Sequence, residues 1–202
     1  MLTDRTVTSL LDAFSSADPT PGGGSAAALV GATGASLLAM VAGMPKSRTN
    51  AADERDALDT AHRELVAHRG TLIDLIDRDA SAYDLVIAAF RRPKGTDEEK
   101  AARRAAVQDA TRIATEVPLE TIRACVEAMR AGRATAAHGN PNAASDVKVG
   151  YRLLMAAAEG ARDNVEINLG GLTDAAVQSE IRDAATALMT EAAGHVRDVI
   201  VI

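Results

Sequence analysis

Aromatic side chains are almost missing from this chain. Of its 202 residues only 2% are Phe, Tyr or Trp, and there is no Trp at all. That argues against a β sandwich held by aromatic pairs, and the 47% apolar share, mostly Ala, Leu and Val, suits closely packed helices instead. Cysteine is limited to Cys125, which rules out a disulfide framework and a cysteine metal site. The histidines, His62, His68, His138 and His195, lack metal-ligand spacing of the HExxH kind, so no metal is expected. A net charge of −6 with both signs interspersed leaves no basic footprint for nucleic acid. The first five residues lack the charged-then-apolar layout of a signal peptide. No long apolar run is flanked like a membrane span; residues 26–44 come nearest but are rich in Gly and Ala. The expectation is a cytoplasmic protein without membrane contact, with one domain over residues 1–202.

What the chain does have is glycine in one place. Asp18-Pro19-Thr20-Pro21-Gly22-Gly23-Gly24-Ser25 leads into a run of small residues from Ala26 to Ala35. The prolines keep the approach extended, and the glycines let another group come close to the main chain. Ser25 is a candidate cap for a helix over 25–44. Such a turn is either tight packing or a cluster of N–H donors facing a ligand.

The remaining pattern is helical throughout. Residues 6–15 place Val7, Leu10, Leu11 and Phe14 on one face. The 25–44 helix is apolar on nearly all sides, as expected of a central or shared helix. Pro45 ends it, with Thr49 or Asn50 as the next cap. Residues 50–90 contain no Pro and a single Gly, which predicts a helix about 60 Å long at 1.5 Å per residue. Further helices are expected at 97–115, broken near Pro118, then 119–137, 145–169 and 173–198, with Thr96 or Asp97, Ser145 and Thr173 as caps and Gly139, Gly170 and Gly171 as stops. The predicted fold is all-α, an antiparallel helical bundle with one very long helix, made dimeric because that helix and the apolar one need partners.

Several residues do not suit an inert bundle. The apolar seam of the long helix, Leu72, Ile76, Val86 and Phe90, is interrupted by Asp79 and Tyr83. A carboxylate is rarely buried unpaired, so these are either a solvated face or an acid–base pair. Asp77 and Asp84 line neighbouring stripes of the same turns. Arg91, Arg92 and Lys94 end the helix as dipole-complementing cations or as a clamp for an anionic tail. Asn140 and Asn142 flank Pro141 in a second loop, followed by Asp146 in a first helical turn. Gly160, Asn164 and Asn168 recur every four residues on one face.

At this point the chain resembles the cyclodeaminase/cyclohydrolase family: the C-terminal domain of formiminotransferase-cyclodeaminase and the stand-alone methenyltetrahydrofolate cyclohydrolases. The likeness is carried by 20–28 (Thr-Pro-Gly-Gly-Gly-Ser-Ala-Ala-Ala), 77–84 (Asp-Arg-Asp-Ala-Ser-Ala-Tyr-Asp), Pro93-Lys94, Glu116-Val117-Pro118-Leu119, 139–147 from Gly139 to Val147, and 164–169 from Asn164 to Leu169. The resemblance implies an all-helical homodimer that takes a tetrahydrofolate derivative as substrate, with no metal or nucleotide cofactor. It implies either hydrolysis of 5,10-methenyltetrahydrofolate to the 10-formyl compound, or ammonia elimination from 5-formiminotetrahydrofolate with ring closure, the latter with a separate formiminotransferase as partner. A non-catalytic folate-binding or scaffold dimer is the reading from another class. For either reaction, Asp79, Tyr83 and Asp146 are the candidate catalytic residues. Pro21, Gly22, Gly23, Gly24, Ser25, Asp77, Lys94, Asn140, Asn142, Asn164 and Asn168 are the candidate substrate-binding residues, Lys94 toward the glutamate tail. In one place the chain departs from the family: Pro45-Lys46-Ser47-Arg48-Thr49-Asn50 stands where members commonly carry a Gly-Lys-Lys-Lys-Tyr-like segment.

Overall fold

A computed structural model describes residues 1–44 and 51–200. The departing segment 45–50, with its expected Thr49 or Asn50 cap, lies outside the described residues. The described residues form helices α1 (Val7–Phe14), α2 (Gly23–Gly43), α3 (Ala52–Phe90), α4 (Asp97–His138), α5 (Ala144–Leu169) and α6 (Ala175–Ile200), with 3-10 turns at Leu2–Asp4 and Pro141–Ala143 and no strand. The all-α reading holds, and the very long helix is there.

α2 is the hub. It packs against α3, α4 and α5, and Ala28, Ala35, Leu38 and Val41 are wholly buried. Small residues make this possible: a Cβ on Gly34 would lie 2.8 Å from the Gly150 carbonyl oxygen, so α2 and α5 touch backbone to backbone. By length and composition α2 would span a bilayer, yet over half of its apolar window is buried inside the bundle. Ser25 meets Ile76 and Gly43 meets His62, so α3 runs antiparallel to α2. Gly31 meets Cys125 and Gly139 meets Val41, so α4 runs parallel to α2. α3 and α4 are joined by a bidentate pair in which Arg78 donates to both Glu120 oxygens at 2.7 and 2.9 Å.

Pro118 does not break its helix. α4 is continuous over 42 residues, with Pro118 buried inside it. A mid-helix proline leaves the carbonyl four residues earlier without its N–H donor. Here that carbonyl belongs to Ala114, and Asn168 Nδ2 donates to it at 2.7 Å. A side chain from α5 thus replaces the missing backbone bond, and the expected division into 97–115 and 119–137 is corrected to one helix.

Thr96 caps α4 through a capping box with Glu99, and Gly139 and Gly170 end α4 and α5 as expected. The other caps differ. Ser25 lies in the first turn of α2 rather than capping it, Ser145 lies inside α5, and Asp174 Oδ1 accepts from Ala176 and Val177 at the start of α6. Thr173 instead bonds Gln108. On α1 only Leu10 is buried; Val7 and Leu11, expected on the same covered face, are 76% and 57% exposed.

Candidate active site

The α2 N-terminus begins at an extended Gly22 with no capping side chain of its own. Asp79 of α3 fills that role from outside the helix. Ser25 Oγ lies 2.9 Å from Asp79 Oδ2, and the Ser25 backbone N–H also donates to this carboxylate. The same hydroxyl is 2.9 Å from the Ile76 carbonyl, so its single proton serves one of the two at a time. None of the described glycines has positive φ. The need for glycine is spatial: a Cβ on Gly24 would lie 2.0 Å from Asp79 Oδ1.

Burial pushes the Asp79 carboxyl above the usual carboxylate range, and the Ser25 hydroxyl and N–H offset this only in part. A carboxyl so held can exchange a proton closer to neutral pH than an ordinary aspartate. Tyr83 follows one turn on, 37% exposed, and with Pro19, Asp84, Ile87, Ala88 and Arg91 lines a cavity of about 400 Å³ between the proline loop and α3. Pro21 is buried beneath this loop, and Gly23 faces Asn164: a Cβ there would lie 3.4 Å from Nδ2, which donates to the Gly160 carbonyl at 2.8 Å. Pro21, Gly22, Gly23, Gly24, Ser25, Asp79 and Asn164 thus gather at one end of the bundle, with Tyr83 beside them.

Other residues expected in the site are elsewhere or otherwise engaged. Asp77 accepts from the Leu2 N–H and the Thr3 hydroxyl, tying down the N-terminal turn. Burial alone pushes its carboxyl up, but those donors and the chain's ammonium group hold it below the usual range. Asn168 is committed to Ala114. Lys94 is exposed in the turn after α3, about 16 Å along the helix from Asp79 at 1.5 Å per residue over the helical part. Asn140, whose Oδ1 accepts from the Asn142 N–H, and Asp146 lie at the opposite end of α2, beyond Val41. That is about 27 Å from Gly23. The sequence marks Ser25 as a helix cap and a substrate-binding candidate, but does not show that it bridges Asp79 and Ile76. Nor does the sequence pair Asn168 with Pro118, although Glu116-Val117-Pro118 and the asparagine repeat are both visible.

Residues 6–187 match the family described as formiminotransferase-cyclodeaminase. The chain belongs to that family. It is 38% identical over 192 residues to the methenyltetrahydrofolate cyclohydrolase of Methylorubrum extorquens, covering 95% of this chain and 92% of that one. It is 36% identical to the rat formimidoyltransferase-cyclodeaminase over 176 residues, 85% of this chain but only 32% of the relative. The chain therefore spans about a third of the length of such bifunctional relatives. In fold it is similar to the crystal structure of formiminotetrahydrofolate cyclodeaminase from Thermotoga maritima, with a TM-score of 0.84 over the whole of both chains at 24% identity. Within this family the relatives carry the names of folate one-carbon enzymes, and that is the setting of this chain.

Proposed function

We propose that the chain hydrolyses 5,10-methenyltetrahydrofolate to 10-formyltetrahydrofolate at the Gly24–Asp79 end of the bundle. The observation that carries this reading is the nearly full-length likeness to a free-standing cyclohydrolase, which shares no formiminotransferase half. The cyclodeaminase reaction is the second reading, favoured by the bifunctional relatives and by the fold of the Thermotoga enzyme.

In hydrolysis, water adds to the cationic methenyl carbon between N5 and N10. As the new C–O bond forms, Asp79 takes the water's proton as general base. The negative carboxylate beside the carbon stabilises the cation before attack. The tetrahedral adduct collapses when the C–N5 bond breaks: the proton on Asp79 passes to N5, and the adduct's hydroxyl loses its proton to the freed carboxylate and from there to solvent, leaving the formyl C=O on N10. The raised Asp79 carboxyl suits both halves of this cycle. In this reading Tyr83, one turn on from Asp79, donates to the adduct's oxygen. The 22–24 glycines and Asn164 meet the pterin, and Lys94 meets the glutamate tail. Each of these steps uses the chain's own side chains.

Asp146 and the Asn142 turn reach this chemistry only if a second copy brings its far end here. We therefore propose a homodimer, supported by the exposed apolar side chains Val7, Leu11 and Ile167. The test follows the near-ultraviolet absorbance of 5,10-methenyltetrahydrofolate with purified protein, beside a reaction on 5-formiminotetrahydrofolate. Decay above the buffer rate supports the cyclohydrolase; appearance of the methenyl signal from the formimino compound supports the cyclodeaminase. Folate binding with neither signal overturns both in favour of a non-catalytic binder. Mixing Asp79→Asn with Asp146→Asn chains tests the dimer: recovered turnover requires each site to draw on two chains.

A further inference from the structure

We propose that the uncovered face of α2 docks antiparallel against the same face of a second copy, about a two-fold axis at Thr33. This names the surface of the homodimer proposed above and rests on the reading of Asp79 and Asp146 as one site.

α2 has neighbours on three sides only. Gly31 and Leu38 face Cys125 and Gly132 of α4, Gly34 faces Gly150 of α5, and Ser25 faces Ile76 of α3. The fourth side carries Ala26, Leu29, Thr33, Ser36, Met40 and Met44, each at least partly open. Ala26, Thr33 and Met40 recur every seven residues, and Leu29 and Ser36 repeat at the same interval between them. Such a repeat is the seam by which one helix lies along another. No residue of α2 is charged, and the two hydroxyls on this side are closed on their own helix. Thr33 Oγ1 donates to the Leu29 carbonyl at 2.9 Å, and Ser36 Oγ to the Ala32 carbonyl at 2.7 Å. The face therefore enters an apolar contact without losing a polar partner.

The flanking helices widen it. Val149 and Ile167 lie five turns apart on one stripe of α5, turned away from Tyr151, whose hydroxyl donates to Met129 of α4. Ile73 of α3 is likewise turned away from Arg78, which bonds Glu120 of α4. Three helices, each about 10 Å by 30 Å, offer about 900 Å² per copy, against about 800 Å² in a standard interface. A lipid bilayer is the other apolar cover for such a face. Arg152 and Asp163, exposed beside Val149 and Ile167, would have to enter it, which favours a protein partner.

Self-pairing fits in size and in position. Turning α2 over about Thr33 sets Ala26 against the partner's Met40, small against large, and Leu29 against the partner's Leu37. The Gly24 turn comes level with the partner's Val41, beside which the partner's Gly139 lies. The Asp79 end of one copy thus receives the Asp146 end of the other, although about 27 Å divides them within one chain.

Cysteine pairs test the register, since Cys125 is the chain's only cysteine and is buried. A short bis-maleimide should link Thr33→Cys to its own copy. It should link Ala26→Cys to Met40→Cys only when the two variants are mixed, because each lies about 21 Å along the axis from its own copy. Thr33→Arg should halve the mass seen by light scattering. Thr33 is exposed in the single chain, so the helical circular dichroism should not change. A wild-type monomer, a dimer indifferent to Thr33→Arg, or self-linking of Met40→Cys overturns the proposal. So does binding to phosphatidylcholine vesicles in place of pairing. None of these readouts needs turnover, so the surface is judged apart from the folate reaction. Turnover then judges the shared site: loss in monomeric Thr33→Arg supports it, and wild-type turnover there overturns it.

Discussion

Gly24→Ala places the sharpest demand on the geometry of the candidate site. The added Cβ would lie 2.0 Å from Asp79 Oδ1, 2.6 Å from its Cγ and 2.9 Å from Oδ2. All three are closer than real Cβ contacts, so the carboxylate must move by about 1 Å or more, and with it the 2.9 Å bond to Ser25. In a helix, Ala is favoured over Gly by about 1 kcal/mol, whereas forcing a methyl into a filled position costs about 1–3 kcal/mol. The net effect on stability is a loss of up to about 2 kcal/mol, or several degrees in Tm for a domain of this size. Activity should suffer more, by about a hundredfold in kcat, because a reacting group displaced by about 1 Å loses its attack geometry. Gly70→Ala is the internal control. Nothing lies within 4 Å of its Cβ position, so it should raise stability by about 0.5–1 kcal/mol and leave turnover alone. The assay is the methenyl absorbance decay, paired with thermal unfolding of both variants. Gly24→Ala should also cost less stability in an Asp79→Ala background, where the clash is gone. If Gly24→Ala keeps wild-type kcat and a raised Tm, Asp79 does not sit over this turn and its assignment as base falls.

Asp79→Asn should abolish most turnover and also change the pH dependence of stability. Because the folded state favours the protonated carboxyl, wild-type stability falls as pH rises above the unfolded value, until the folded pKa is passed. Asp79→Asn lacks that loss, so urea titrations should show its relative stability growing with pH and then levelling; a difference constant with pH would refute the burial argument. Asp77→Ala should release the 2–4 turn and cost roughly 1 kcal/mol at neutral pH, with kcat nearly unchanged. Since the Asp77 carboxyl is held low, this contribution should fade as pH falls through its folded pKa, which a loss of turnover in place of stability would contradict. Asn168→Ala should destabilise by about 1–3 kcal/mol, by leaving the Ala114 carbonyl beside Pro118 without a donor. Equal stability of Asn168→Ala and wild type in urea would show that the helix passes Pro118 without that bond.

The linear order of residues determined the helical class, the length of α3, the capping box at Thr96 and the stops at Gly139 and Gly170. These depend on propensity and on contacts within a few residues, which spacing displays directly. It also marked Asp79 and Tyr83, because a polar break in an apolar seam is a local irregularity. Tertiary structure alone decided what the marked residues touch. Pro118 was read as a break because the donor that repairs its helix comes from Asn168, 54 residues away. Ser25 was read as a cap because its partners, Ile76 and Asp79, lie on another helix. Asp77 was placed with substrate, but the chain's own N-terminus occupies it. The two motif clusters, joined in one site on paper, stand at opposite ends of α2. A helix of 21 residues holds its ends about 30 Å apart, and within one chain no choice of side chains brings them together.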